Sequence, residues 1–215
     1  VLSVSLPAGQ VTATVPVGEY AHDATALADG TIAAADEHAG ELVVVRSGRV
    51  VHRYTDLTQP GGVTAAGTRV AVIDVAEHQL SLYETRSPRR VARVAAGDGP
   101  THLVTDRRGR LVVVDTRGER VLLFATEPRL RQVGSARLRG TPYGLAYDAT
   151  RDRLWVTLTA RNQVVGMDLA GDRPTELARL PTVRQPNTVA VDAATGRVFV
   201  ASRTDGTVQL VDPPA

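Results

Sequence analysis

Proline recurs at positions 60, 100, 142 and 186, with successive spacings of 40, 42 and 44 residues. Each copy has the same local setting: Gln59-Pro60-Gly61-Gly62-Val63, Gly99-Pro100-Thr101-His102-Leu103, Thr141-Pro142-Tyr143-Gly144-Leu145 and Gln185-Pro186-Asn187-Thr188-Val189. A fifth copy, Tyr20-Ala21-His22-Asp23-Ala24, precedes them with alanine in the proline's place, 39 residues before Pro60. A fixed period of roughly 20–50 residues commits a chain to stacked copies of one small unit, because no single copy can bury its own apolar face.

Inside each copy the same order of short apolar runs returns. A first strand runs toward an aspartate (Leu103 to Asp106, Leu145 to Asp148, Val189 to Asp192), and a turn rich in Gly, Arg and Asp follows. Second strands are predicted at Ile32 to Ala35, Val70 to Ile73, Leu111 to Val114, Leu154 to Thr157 and Val198 to Ala201. Third strands are predicted at Leu42 to Val45, Leu80 to Tyr83, Val121 to Phe124, Val164 to Met167 and Val208 to Val211. A more polar fourth strand closes four of the copies, at Val50 to Tyr54, Arg90 to Val94, Gln132 to Ala136 and Glu176 to Leu180. Four short strands in about 42 residues, without helical periodicity, are the pattern of a propeller blade.

The expectation is therefore an all-β chain forming a single β-propeller domain over 1–215, with about five four-stranded blades and six as the alternative. The blade units fall at about 20–58, 59–98, 99–140, 141–184 and 185–215. The last copy reaches Pro213-Pro214-Ala215 without a fourth strand. Val11 to Val15 is the candidate to complete that C-terminal blade and close the ring, removing an exposed sheet edge. Val1 to Leu6 resembles a third strand and has no place in a five-blade scheme.

Composition agrees with tight β layering. Val, Ala and Leu dominate and only 4% of residues are aromatic, and small or β-branched side chains suit closely stacked sheets. There is no cysteine, which excludes disulfides, Cys-based zinc sites and Cys nucleophiles. No apolar run reaches the roughly 20 residues of a membrane-spanning helix. The pI of about 9.4 beside a net charge of +2 arises because every one of the 25 basic residues is arginine, which stays protonated at high pH. No basic run or basic–aromatic stripe accompanies it, so no nucleic-acid partner is expected. The chain opens on Val1 rather than Met, so an upstream piece is expected to be missing, either a signal or lipoprotein leader or a stretch cut away from a longer chain.

The unit built on a proline, an apolar strand ending in Asp, a turn, and a strand of the type Arg-Leu-Trp-Val-Thr (153 to 157) or Arg-Val-Phe-Val-Ala (197 to 201) resembles the YVTN/NHL class of propeller repeats. The resemblance covers essentially the whole chain, best at Pro142 to Thr157 and Pro186 to Ala201. It implies the propeller fold and, since bacterial members are often exported, an extracytoplasmic location (secreted, periplasmic or lipid-anchored). It does not imply one function.

In a propeller the first strands line the central channel, and the loops entering them build one face with the second-to-third-strand loops. Aligning the copies gives two rings at that mouth. The first is His22, Gly61, Thr101, Tyr143 and Asn187; the second is Asp23, Gly62, His102, Gly144 and Thr188. Scaffold positions repeat while these vary in chemistry, as expected of a site grafted onto a symmetric frame. Arg161 and Arg203 come from the second-to-third-strand loops, where Asp36-Glu37-His38, Asp74 to His78 and Asp115-Thr116-Arg117 are expected to add a mixed-charge rim. The candidate ligand-binding residues are thus His22, Asp23, Thr101, His102, Tyr143, Asn187, Arg161 and Arg203.

Two imidazoles and a carboxylate, His22, His102 and Asp23, are the chemistry of a metal site or of a base with its orienter. Similar propeller lactonases use a calcium site with an inner-strand Glu, and similar streptogramin lyases pair a His with Glu residues around magnesium. Here the Glu partners are absent from both rings. No nucleophile elbow, Walker loop, dinucleotide fingerprint or His-Glu-x-x-His is present either. The reading is a monomeric, non-enzymatic binding propeller with no cofactor, engaging a protein, peptide or small polar ligand. The alternatives are a metal-assisted lyase or lactonase-like hydrolase at the same mouth, and a structural repeat domain of a larger surface protein.

Overall fold

The computed structural model describes residues 1–213, so the final Pro214-Ala215 of the last copy lies outside the described residues. Those residues form strands, turns and loops without a helix. Two compact units divide them, one over Val1–Ala95 and one from Ala96 onward.

The first unit opens with a two-stranded sheet of β1 (Leu2–Ser5) and β2 (Gln10–Thr14). A four-stranded sheet follows, ordered β3 (Ala21–Ala26), β4 (Ile32–Asp36), β5 (Glu41–Arg46) and β6 (Arg49–Tyr54). A second has β7 (Pro60–Ala66), β8 (Arg69–Asp74), β9 (Gln79–Glu84) and β10 (Arg89–Ala95). The second unit repeats the design with β11 (Pro100–Thr105), β12 (Leu111–Asp115), β13 (Arg120–Ala125) and β14 (Arg131–Arg137). Next come β15 (Pro142–Asp148), β16 (Arg153–Leu158), β17 (Gln163–Asp168) and β18 (Thr175–Pro181). Its last sheet has three strands: β19 (Pro186–Val191), β20 (Val198–Ser202) and β21 (Val208–Val211). Every pairing is antiparallel between chain neighbours, the meander that short turns dictate.

The repeat has a local hydrogen-bonded cause. The residue before each opening position accepts from the backbone N–H just after the second strand, five times over: Glu37 to Tyr20, Val75 to Gln59, Thr116 to Gly99, Thr159 to Thr141 and Arg203 to Gln185, at 2.9–3.1 Å. The prolines begin the first strand, at the sheet edge, where no ladder donor is needed. Immediately after them the pairing register shifts in every copy, at Ala21/Asp23, Pro60/Val63, Pro100/His102, Pro142/Leu145 and Pro186/Thr188. Such bulges unpair a residue and re-aim its side chain. They fall on His22, Gly61-Gly62, Thr101, Tyr143-Gly144 and Asn187.

A second repeated device corrects the expected mixed-charge rim. Asp36, Asp74 and Asp115 are all but fully buried (1%, 0% and 0% exposed). The Asp74 carboxylate accepts from the backbone of Thr58 (2.8 Å), Gln59 (3.2 Å) and Glu77 (3.2 Å). Asp36 does the same for Glu19, Tyr20 and Ala39, and Asp115 for Asp98, Gly99 and Gly118. Each clamps the incoming linker to the turn after the second strand, satisfying donors that would otherwise be buried unpaired. Leu158 occupies this position in the fourth copy and Ser202 in the fifth, where the Ser202 hydroxyl donates to Arg184 O and accepts from Asp205 N.

In the four-stranded sheets the second and third strands are buried on both faces, as their continuous apolar runs require. Within the second unit the two faces of β16 divide cleanly. Leu154, Val156 and Leu158 pack with Val112, Val114, Val121 and Leu123 of one neighbouring sheet. Trp155 points the other way, against Val189, Val198 and Val200, which is the period-two alternation of a strand. The cross-strand partner of Trp155 is Gly166, where a Cβ would sit 2.9 Å from the indole.

The N-terminal strand departs from expectation. The strand expected at Val11 to Val15 runs Gln10–Thr14 and pairs with β1, not with the C-terminal sheet, and β21 has no fourth partner among the described residues. The reason is local: Gly9 takes the left-handed backbone (φ 68°) and its N–H bonds to Ser5 O, turning the chain straight back on itself. Closing so short a loop costs far less entropy than a distant pairing. Val1 and Val15 pack on Val17, Ala34, Val43 and Val45 of the first unit. The described residues therefore carry six sheets rather than five.

Candidate functional site

The bulged positions and the loops beside them come together as a cleft of about 490 Å³ within the second unit. It is lined by Thr116 from one copy, by Thr141, Tyr143, Thr159 and Ala160 from the next, and by Gln185, Asn187 and Arg203 from the last. The volume lies in the range of small-molecule pockets, about 300–1,000 Å³. All but Ala160 offer polar groups, and no lining residue is an Asp, Glu or His.

Two lining residues are held in an unusual backbone. Thr141 (φ 58°) and Gln185 (φ 46°) both take left-handed conformations directly before proline. For a β-branched residue this is a true outlier, and pre-proline geometry pushes toward extended backbone instead. The other non-glycine residues with positive φ, such as Ser47, His78 and Asn162, sit in turns. Local bonds hold the pair in place. Thr141 O accepts from both Thr159 N (3.1 Å) and Thr159 Oγ1 (3.0 Å). Gln185 N donates to Asn162 Oδ1 (2.8 Å), and Gln185 Oε1 accepts from Thr204 Oγ1 (2.9 Å). Strain of this order, about 1–3 kcal/mol per residue, persists where surrounding structure over-determines it.

Of the residues singled out in the sequence, Tyr143, Asn187 and Arg203 line this cleft. Thr101 stands behind it, its hydroxyl 2.8 Å from Thr116 Oγ1, which in turn donates to Pro142 O (2.7 Å). His102 meets the Tyr143 ring edge-on, with centroids 4.9 Å apart, and so buttresses that side chain. Arg161 follows Ala160 at the rim, and its stem lies where a Cβ on Gly140 would be (Cγ at 2.6 Å). His22 and Asp23 belong to the first unit. There the Asp23 carboxylate accepts from Val63 N (2.8 Å), and Thr25 Oγ1 accepts from Ala65 N (3.2 Å), tying β3 to β7. That role occupies Asp23 in holding two sheets together. Among the described residues no three His, Cys, Asp or Glu side chains are grouped to hold a metal ion.

Besides Ala160, the lining residues that sequence reasoning missed are Thr116, Thr141, Thr159 and Gln185. The signal for them was the repeat itself: they occupy the pre-proline position and the position after the second strand, the two ends of the fivefold hydrogen bond. A smaller cleft of about 260 Å³ in the first unit, lined by Leu27, Ala28, Asp29, Gly67, Thr68 and Arg86, already has its two charges paired (Arg86 to Asp29, 3.1 Å).

No protein-family model and no curated protein sequence matches the chain. Solved structures do. A putative lactonase from Bacteroides uniformis, described as a 6-phosphogluconolactonase, is similar at a TM-score of 0.84 and 13% identity, over 99% of this chain and 73% of that one. A β-propeller domain from Myceliophteria thermophila is similar at 0.80 and 14%, over 99% and 76%. A catalytically inactive virginiamycin B lyase from Staphylococcus aureus is similar at 0.72 and 14%, over 96% and 75%. Likeness at these identities shows the fold, shared with β-propeller proteins that include enzymes and non-enzymes, and leaves the chemistry to this chain's own residues.

Proposed function

We propose that the chain is a non-enzymatic binding propeller of the YVTN/NHL kind whose second-unit cleft holds a small polar ligand. One observation carries the reading. The Tyr143 hydroxyl, the Asn187 amide and the Arg203 guanidinium converge on a single cleft, and none has a hydrogen-bond or ion-pair partner among the described residues. Three polar groups left open on one concavity are donors and acceptors available to a ligand. The lining supplies no carboxylate or imidazole to act as general base, which favours binding over catalysis.

A thermal-shift screen of polar metabolites tests the reading, run on the wild type and on the Tyr143→Ala/Asn187→Ala double variant. Compounds that raise the melting temperature of the wild type are expected to lose that effect in the double variant. Equal shifts in both proteins would place binding elsewhere and sink the proposal.

A further inference from the structure

We infer that the ligand of this cleft is a small oxyanion, a carboxylate or phosphate monoester on a hydroxyl-bearing frame; this rests on the binding reading above. The second-to-third-strand loops of the three sheets in the second unit each carry an arginine in the cleft lining or next to it in the chain: Arg117 directly after Thr116, Arg161 directly after Ala160, and Arg203 in the lining itself. All three are exposed, and their guanidinium groups have no hydrogen-bond or ion-pair partner among the described residues.

This is unusual for the molecule, where most acids near this end are already committed. Asp115 and Asp98 pair with Arg120 (2.9 and 2.6 Å). Glu119 Oε1 accepts from Gly140 N (3.0 Å), and Asp205 stands 3.9 Å from Arg184. Arg203 therefore brings a positive charge to a cleft with no carboxylate in its lining, and Arg117 and Arg161 add two more directly beside lining residues.

Two of the arginines are seated rather than free-swinging. The Arg117 Cβ lies where a Cβ on Gly99 would be (2.7 Å), and the Arg161 Cγ lies likewise at Gly140. Packing the stem on a glycine restrains the side chain while leaving the planar fork open, and that fork matches carboxylate and phosphate geometry. The remaining lining groups, the Thr116 and Thr159 hydroxyls, the Gln185 and Asn187 amides and the Tyr143 hydroxyl, are neutral and suited to ligand hydroxyls. The cleft volume limits the ligand to a small molecule.

The test is calorimetric titration of the full chain with two matched pairs: glucuronate against glucose, and glycerol phosphate against glycerol. At least one anion is expected to bind about tenfold or more tightly than its neutral partner, to weaken with added sodium chloride, and to lose about tenfold in Arg203→Gln. Arg161→Gln is expected to lose a smaller factor. If the neutral member binds as tightly and Arg203→Gln changes nothing, the anion inference falls while the cleft reading stands. If an anion binds equally well to wild type and to Tyr143→Ala/Asn187→Ala, the cleft reading falls and this inference with it. Failure of both anions to bind overturns the inference alone, the metabolite screen then deciding the cleft. Tighter binding of a polyglutamate peptide than of either anion overturns it in favour of an acidic chain.

Discussion

At the residue scale the fold depends on a few side chains placed where the backbone has unmet needs. Among the described residues Asp74 is buried without a cationic partner, and it is held by three backbone N–H groups. Asp74→Ala leaves those donors unsatisfied, and a loss of about 3 kcal/mol or more in chemical denaturation is expected. Asp205→Ala, at an exposed turn, is expected to stay within about 0.5 kcal/mol. Gly166→Ala sets a methyl against the Trp155 ring, so a loss of about 1–3 kcal/mol is expected, with a changed near-ultraviolet signal from the only Trp. Tyrosines report from the alkaline side. Burial pushes the Tyr54, Tyr83 and Tyr147 hydroxyls up to about 12, the last aided by its hydrogen bond to Asp152 (2.6 Å). Raised values mean that their contribution is fully present below the ordinary value of 10.0 and is lost as pH climbs toward 12. Spectrophotometric titration should show three of the five tyrosines ionising only in that window, together with unfolding. Asp152 works in the opposite direction. Hydrogen bonding from Arg108 holds its carboxyl below the usual 3.8, so its contribution is present above that value and is lost on further acidification.

At the element scale the strands were legible and the connections less so. Continuous apolar runs bounded by Gly, Asp and Arg turns located β4, β5, β8, β9 and their equivalents in the next two sheets to within a residue or two, because both faces of those strands are buried. Asp36, Asp74 and Asp115 read as solvent-facing turn residues. Their partners lie 15–17 residues back in the chain in the linker, and composition carries no trace of that geometry. The N-terminal hairpin was missed for a related reason: Pro7-Ala8-Gly9 is a turn signal, but a scheme that needs a closing strand elsewhere overrides it. Tyr143, Asn187 and Arg203 were legible because they vary where the frame repeats. The clustering of the lining threonines depended on backbone outliers at Thr141 and Gln185 that no residue type announces. Hydrogen exchange should follow the burial. Amides of β4, β5, β12, β13, β16 and β17 are expected to be slowest, while β1, β2 and the edge strand β21, with Val208 and Leu210 more than half exposed, exchange early. Comparable protection across β2 and β13 would contradict this ordering.

At the scale of the whole molecule, the same repeat that fixes the frame also frees a few positions from structural duty. Clamping aspartates, edge prolines and layered Val and Leu do the folding. Bulges then deliver one side chain per copy away from the ladder. In the second unit three of these copies converge on one polar cleft lined by Tyr143, Asn187 and the exposed Arg203. The fold is shared with proteins as different as a lyase and a propeller domain without a named reaction, so the distinguishing chemistry lies in those few residues. The decisive measurement is chemical-shift mapping of the isotopically labelled chain during titration with glucuronate and with glycerol phosphate. Perturbed amides confined to Thr116, Thr141, Tyr143, Thr159, Ala160, Gln185, Asn187 and Arg203 are predicted. Perturbations centred on the Asp29–Arg86 cleft of the first unit, or spread without focus over exposed arginines, would contradict it.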